Sequence, residues 1–376
     1  MAGIYIHIPF CKQACYYCDF HFSTSLKRKE EVLNAISKEL KLRQEELKNQ
    51  VIETIYFGGG TPSLLTKGDI ESLFEVIYNN YTVVESPEIT LEANPDDLSL
   101  EKIIELSESP INRLSIGIQS FFNDDLKFMN RAHNASEAKN CLKDALKYFE
   151  NITIDLIYGV PNMSNKKWLN NLNQAFELGI PHISSYALTV EEKTALHSFI
   201  KKGKVAPLDE NLALEHFNIL VEETKKKGFV QYEVSNFGKS NFFSKHNTSY
   251  WLGENYLGIG PSAHSYNGVE RSWNISNNAK YVMSLNENKL PLKVEILSIE
   301  DKFNETVMTG LRTVWGVNLN KIKLNFGDIM LNQFIKNIQP FLKRELLIFN
   351  EKKQTVTTSQ KGKFLADGIA SDLFII

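Results

Sequence analysis

The chain has 376 residues, 43% hydrophobic and 23% charged, with a net charge of −3. That balance excludes a nucleic-acid binder driven by phosphate neutralisation, and the lysine-rich runs at 201–204 and 225–227 read as solvated helix ends. No stretch approaches the ~18 apolar residues of a membrane span. The N-terminus lacks the basic and long apolar regions of a secretory signal, so membrane association is not encoded by a span and a cytoplasmic location is expected.

The first half alternates short apolar β-type runs, at 3–8, 53–57, 88–93, 113–118, 152–157 and 182–187, with helix-length segments at 27–49, 66–80, 99–109, 136–149 and 166–178. This alternation predicts parallel βαβ units. Six such strands without Rossmann spacing predict an α/β fold, a partial (β/α)6 TIM-like barrel, with its chemistry at the C-terminal ends of the strands. The sequence carries that pattern. Three cysteines follow the first strand. Gly58, Gly59, Gly60, Thr61 and Pro62 follow the second. The third ends near Glu92 and Asn94, the fourth in Gly117 and Gln119, and the fifth carries Asp155 within an apolar run.

Beyond residue 187 the pattern loosens. Helical text covers 211–227, and an aromatic-rich stretch follows at 232–273, too apolar to be disordered. From 298 the text is helical again, ending in a β-type piece at 354–358 and a last helix at 361–374. Three parts are expected: a core barrel at 1–231, an aromatic-rich connecting region at 232–297, and a small, mostly helical C-terminal domain at 298–376.

Of four cysteines, Cys11, Cys15 and Cys18 fall within eight residues as C-x3-C-x2-C, while Cys141 stands alone in helical text and reads as a core residue. Crowded thiols in a chain without a disulfide framework point to metal or redox chemistry. One loop at this spacing can aim three thiolates at a common centre. A [4Fe–4S] cluster held by three cysteines keeps one iron open to an exchangeable ligand, such as the amine and carboxylate of S-adenosylmethionine. A zinc site completed by His7 or His21 is the alternative, disfavoured because there is no second C-x2-C knuckle.

The cysteine spacing and the glycine turn after the second strand resemble the radical S-adenosylmethionine superfamily. Tyr5-Ile6-His7-Ile8-Pro9-Phe10-Cys11 and Gly58-Gly59-Gly60-Thr61-Pro62 are similar to its oxygen-independent coproporphyrinogen oxidase group. The tail text around Gly310-Leu311-Arg312 and Leu365-Ala366-Asp367-Gly368 resembles that group's C-terminal domain. The resemblance implies a barrel of the radical type, with a [4Fe–4S] cluster on Cys11, Cys15 and Cys18. It also implies S-adenosylmethionine contacts from Tyr5, Gly59, Gly60, Thr61, Glu92, Gln119, Arg131 and Asp155, with Tyr17 beside the ligand. From the residues themselves, glycines let a ligand approach the backbone, and Gln119 offers a donor and an acceptor. A buried Asp155 needs a cation or polar ligand, and a structural ion pair with Arg131 would serve equally.

Two features separate the group's branches. The oxidases resemble C-x3-C-x2-C-x-C and carry a long segment ahead of the cluster, whereas here Phe20 takes the last position and the cluster begins at residue 11. His246-Asn247-Thr248-Ser249-Tyr250-Trp251 matches the H-N-x-x-Y-W text of the branch regarded as heme chaperones. Heme ligation at or near His246 is the expectation, with His264 as the alternative ligand and a packed loop with a satisfied histidine as the plain reading. The partners expected are heme and an acceptor protein that the sequence does not identify, with a homodimer as a further expectation that no residue specifies. Oxidation of coproporphyrinogen III by a radical mechanism is the competing function.

Overall fold

The computed structural model describes residues 2–375. In the barrel, β1 (Ala2–Ile8), β2 (Ile52–Gly59), β3 (Val83–Ala93), β4 (Arg113–Gln119), β5 (Asn151–Tyr158) and β6 (His182–Ala187) alternate with helices. These are α1 (Lys29–Leu42), α2 (Lys67–Asn80), α3 (Leu100–Ser107), the pair α4 (Asn123–Phe128) and α5 (Ala135–Ala145), and α6 (Asn165–Glu177). The helix starts are written in the side chains. Thr66 and Asp69 form a capping box on α2, Asn134 and Glu137 another on α5, and Ser99 and Ser164 cap α3 and α6.

After β6 come α7 (Ala195–Lys201), α8 (Glu210–Lys226), β7 (Val230–Glu233), β8 (Asn236–Gly238), α9 (Lys245–Leu252), β9 (Asn255–Ile259), β10 (His264–Tyr266), β11 (Glu270–Asn274), α10 (Asn278–Asn286) and β12 (Leu292–Ile296). All twelve strands form one sheet in the order β12-β11-β10-β9-β1-β2-β3-β4-β5-β6-β8-β7. β1 to β6 are parallel in sequence order, and β9 adds to the outer edge of β1, also parallel. The aromatic-rich stretch therefore extends the barrel's own sheet.

The interior of the barrel is polar. Register sets Tyr5, Tyr56, Thr90 and Arg113 side by side, and Glu92, Ser115, Thr153 and His182 in a neighbouring row. Closed barrels of this class fill these rows with Val, Ile and Leu. Here the aliphatic residues, among them Ile4, Ile55, Leu91, Leu114 and Ile154, belong to the buried hydrophobic core.

The tail holds α11 (Ile299–Arg312), β13 (Val317–Asn318), α12 (Leu319–Lys343), β14 (Leu347–Asn350), β15 (Thr355–Thr358), α13 (Gln360–Lys363) and α14 (Ala366–Asp372) around a second apolar cluster that includes Phe303, Val307, Phe334 and Val356. The last helical text is thus two short helices, and α12 is kinked at Gly327, where φ is 82°. Arg312 ties tail to barrel through Glu233, at 2.7 Å, and also pairs with Asp367. Among the described residues no helix is long and apolar enough to cross a membrane.

One buried carboxylate pins the sheet extension. Glu39 on α1, 0% exposed, accepts from Arg43 Nη1 at 3.0 Å, Asn274 Nδ2 at 2.7 Å, the Gly260 N–H at 2.9 Å and the Tyr281 hydroxyl at 2.6 Å. Removing it takes one of two carboxylates from the buried Arg43, which keeps Glu46, and leaves the Gly260 N–H and the Tyr281 hydroxyl without their acceptor. Glu39→Ala is expected to cost about 3–5 kcal/mol in urea unfolding; a loss below about 1 kcal/mol would show that the hub contributes little.

Candidate functional site

The loop after β1 carries Cys11, Cys15 and Cys18, and the chain around residue 130 holds it in place. Gln13 Nε2 donates to the Asn130 carbonyl at 2.8 Å, Asn130 Nδ2 donates to the Ala14 carbonyl at 2.7 Å, and the Tyr16 N–H donates to the Met129 carbonyl at 3.1 Å. Lys12 pairs with Asp97. Asn130 adopts a left-handed backbone, φ 57°, suited to its short polar side chain. Arg131 follows, and its Nη1 reaches Cys15 Sγ at 3.3 Å while Nη2 donates to Asn94 Oδ1 at 2.5 Å and to the Gly117 carbonyl at 2.8 Å.

The three thiols line one cavity of about 480 Å3 with Tyr17, Gly59, Gly60, Thr61, Glu92, Gln119, Arg131 and Asp155. Burial pushes the Cys18 thiol up to about 11 and raises Cys11 as well, so binding iron would release their protons. Among the described residues no three His, Cys, Asp or Glu side chains converge closely enough to hold a single ion. Nor are the two histidines free to complete a zinc site: His7 Nε2 donates to the His21 carbonyl at 2.9 Å and its Nδ1 accepts from the Tyr5 hydroxyl at 3.1 Å, while His21 Nε2 donates to Asn278 at 2.7 Å. Cys141 is buried on α5, where burial pushes its thiol up to about 12.

The glycine turn answers first to the protein's own packing. A Cβ on Gly59, whose φ is 102°, would lie 2.4 Å from the His7 ring, and one on Gly60 would lie 2.5 Å from the Phe10 carbonyl oxygen. These glycines let β2 close against β1 and the cysteine loop, leaving their other side on the cavity. Glu92 accepts from the Gly59 N–H at 3.1 Å and from Tyr56 at 2.8 Å, and burial raises it to about 7. Thr61 is buried and accepts from Asn94 Nδ2 at 3.1 Å. Gln119, with φ 64°, and Asp155 make no side-chain hydrogen bond among the described residues, and the Asp155–Arg131 ion pair considered as the structural alternative does not form. Burial raises Asp155 to about 6, against the pull of Arg113 and then Arg131.

Two expected residues lie off this cavity. Tyr5 stands behind the cavity wall, stacked with centroids 6.0 Å apart on Tyr56, which does line it. His246, 1% exposed, fills the barrel interior from α9: Nδ1 pairs with the Thr54 hydroxyl at 2.7 Å and Nε2 with the Tyr250 hydroxyl at 2.6 Å. Its backbone N–H donates to Glu88, and burial followed by Arg113 lowers the ring to about 3. The rest of the motif divides. Asn247 faces the cysteine cavity, whereas Tyr250 and Trp251 face a second cavity of about 960 Å3 between the sheet extension and α11 and α12 of the tail.

Sequence reasoning passed over Arg113 and Tyr56 as site residues, and named Asn94 and Asn247 without giving either a role. Arg113 is 1% exposed on the cavity wall, and no nitrogen of its guanidinium has a hydrogen-bond partner. Its signal was present: the period of two on β4 puts residues 113, 115, 117 and 119 on one face.

A parallel half-barrel with three thiols at the end of β1 and a polar, charged cavity beside them defines a radical S-adenosylmethionine protein. Residues 5–175 match the Radical SAM superfamily, and residues 297–364 match the HemN C-terminal domain. Heme chaperone HemW of Bacillus subtilis is 33% identical over 98% of this chain and 98% of its own, and that of Lactococcus lactis is 33% identical over 97% of each. The solved structure of the coproporphyrinogen III oxidase HemN from Escherichia coli superposes with a TM-score of 0.85 at 21% identity, covering 99% of this chain and 90% of that one. The chain belongs to the HemW family.

The superfamily implies a [4Fe–4S] cluster and S-adenosylmethionine. The residues fit them: three thiols on one loop supply the sulfurs, and the partnerless Gln119 and Asp155 offer polar groups to a chelating ligand in the same cavity.

Without a ligand, the raised carboxylates burden the fold. Asp155 titrates near 6 when folded and takes up a proton on folding, so its unfavourable contribution is absent below about pH 4 and complete above its folded value of about 6. Asp155→Asn is expected to stabilise the metal-free protein by on the order of 1–3 kcal/mol near neutral pH and above, and hardly at all near pH 4, in urea unfolding. An equal effect at both pH values would show that Asp155 is not the buried charge responsible.

Proposed function

We propose that this protein is a heme chaperone: it binds heme and hands it to an acceptor protein. It would carry a [4Fe–4S] cluster on Cys11, Cys15 and Cys18 and S-adenosylmethionine in the adjoining cavity. Gly59, Gly60, Thr61, Glu92, Gln119, Arg131 and Asp155 would hold that ligand, with Tyr17 beside it and Tyr5 supporting the wall. When bound, the cluster supplies a redox centre with one open iron. Arg131 fixes the cysteine loop and places a cation beside it, while Asp155 and Gln119 offer the ligand an acceptor and a donor.

The observation that carries the heme reading is the partition made by α9. Its H-N-x-x-Y-W residues face the cofactor cavity on one side and, through Tyr250 and Trp251, an aromatic cleft of about 960 Å3 on the other. That volume suits a small-molecule site, typically ~300–1,000 Å3. Full-length relatives that carry the name heme chaperone support the same reading. The likeness to HemN concerns the fold, and Phe20, 66% exposed at the cavity mouth, stands where the oxidases resemble a fourth cysteine. Direct ligation by His246 would require the hydrogen bond at the ligating nitrogen, to Thr54 or to Tyr250, to break. A cytoplasmic location and the division at 1–231, 232–297 and 298–376 belong to the same proposal.

Anaerobic protein with a reconstituted cluster is expected to bind ferric heme stoichiometrically. Given reductant and S-adenosylmethionine, it is expected to leave coproporphyrinogen III unchanged by chromatography. Formation of protoporphyrinogen would overturn the chaperone reading.

A further inference from the structure

The twelve-stranded sheet ends at β7 on one side and at β12 on the other, and the fold treats the two edges differently. At β7 the tail covers the edge: the Val234 N–H donates to the Arg312 carbonyl at 2.9 Å, and the Val314 N–H to the Tyr232 carbonyl at 3.0 Å. Among the described residues no strand pairs with the outer edge of β12. Residues 293–296 of that strand are exposed, Val294 at 57% and Ile296 at 74%.

Alternation along the β11–β12 ladder fixes which backbone groups are free. The Ile275 N–H donates to the Pro291 carbonyl at 3.0 Å and the Leu297 N–H to the Val269 carbonyl at 3.1 Å, on either side of a register that pairs Asn274 with Leu292 and Glu270 with Ile296. Lys293 and Glu295 therefore turn their N–H and C=O groups toward β11, while Leu292, Val294 and Ile296 turn theirs toward the open edge. Side chains alternate as well. Leu292, Val294 and Ile296 share the face on which Asn274 meets Glu39 of α1. Lys293 and Glu295 share the opposite face with Trp273 and Arg271, and Glu295 lines the large cleft. Arg271 pairs with Glu305 at 2.6 Å, and neither Lys293 nor Glu295 has an ion-pair partner among the described residues.

We propose that β12 is a self-association strand: two copies of the chain join edge to edge, antiparallel, about a two-fold axis at Val294. In that register Val294 meets Val294 of the second copy, Leu292 meets Ile296, and the free N–H and C=O groups of all three find partners. Lys293 of each copy falls directly opposite Glu295 of the other, at the non-hydrogen-bonded positions where Cα atoms approach to about 4.5 Å. The adjacent two-fold registers fail. Centred on residue 293, lysine opposes lysine; centred on residue 295, glutamate opposes glutamate; like charges directly opposite are destabilising. The strand is thus complementary to itself, as a two-fold contact requires. An open edge with alternating aliphatic residues invites unselective pairing, and here the two charges restrict it to one register. Both clefts then open on the same side of one continuous sheet, each with an ion pair across the seam at its rim. Two short strands bury little beside the ~1,200 Å2 of a stable interface, so the dimer is reversible, with a Kd on the order of 1–100 µM. This assembly is independent of heme binding.

The test is anaerobic sedimentation velocity of full-length, cluster-loaded protein from about 1 to 200 µM, spanning that range of Kd. Dimer is expected to grow in with concentration. Val294→Pro removes an N–H that faces the open edge and none that β11 uses, so the fold is kept and self-association is expected to weaken about tenfold or more. Lys293→Glu and Glu295→Lys are each expected to weaken it several-fold. An equimolar mixture of the two single variants, or both changes in one chain, is expected to restore it. Circular dichroism and S-adenosylmethionine binding, unchanged in each variant, establish folding. A parent protein that stays monomeric throughout would overturn the proposal. So would a dimer indifferent to Val294→Pro or to the single charge reversals, or reversals that neither the mixture nor the double change rescues.

Discussion

Everything at the active end of the barrel depends on how closely β1 and β2 approach where they finish. The Gly60 N–H donates to the Ile8 carbonyl at 2.9 Å, and a Cβ at Gly60 would fall 2.7 Å from that same oxygen. There is room for backbone and nothing more. Because the two strands close there, the cysteine loop leaves β1 directly over the glycine turn, and Glu92 from β3 can accept from the Gly59 N–H. A larger residue would push the loop off its seat on Asn130 and with it the Arg131 contact to Cys15. The cysteine loop is seated where it is because the strands below it converge.

The same sheet supplies a second surface by continuing past β1. β9 joins it in parallel, and β10 to β12 follow antiparallel, pinned from behind by Glu39. α9 lies between the two regions. Its N-terminal N–H groups are satisfied by the Glu88 carboxylate inside the barrel, a favourable place for an anion at a helix start. The helix thereby shuts the barrel with His246 and presents Tyr250 and Trp251 outward. The His246–Tyr250 hydrogen bond is a direct connection between the barrel interior and the cleft, so a change in either has a physical route to the other.

The barrel was legible in the sequence because its signals are local. Apolar runs of strand length, the helix-length segments between them, and the glycine turn each report within a few positions. The sheet extension was not, because β9 pairs with β1 across some 250 residues of chain and its neighbours are three to five residues long. Gly59 and Gly60 were read as space for a ligand, whereas their first duty is to Phe10 and His7, partners that only register reveals. The histidines show the same limit. A motif can say that His246 matters, but whether a ring is free depends on which side chains the fold places around it, here Thr54 from β2 and Tyr250 one helical turn away.

The charges within the cofactor cavity complete the argument. Arg113, Arg131, Glu92 and Asp155 all face it, yet no ion pair joins a cation to a carboxylate among these four. A structure built for stability alone would pair them or replace them with aliphatic residues. Kept apart, they leave the buried Arg113 guanidinium and the Asp155 carboxylate without a hydrogen-bond partner among the described residues, and the fold carries the desolvation penalty. A polar ligand that satisfies both signs at once returns that free energy as affinity, because it binds the folded state alone. The wide polar interior of this half-barrel is therefore the physical reason that a zwitterionic cofactor, and not a packed hydrophobic core, belongs beside the three thiols.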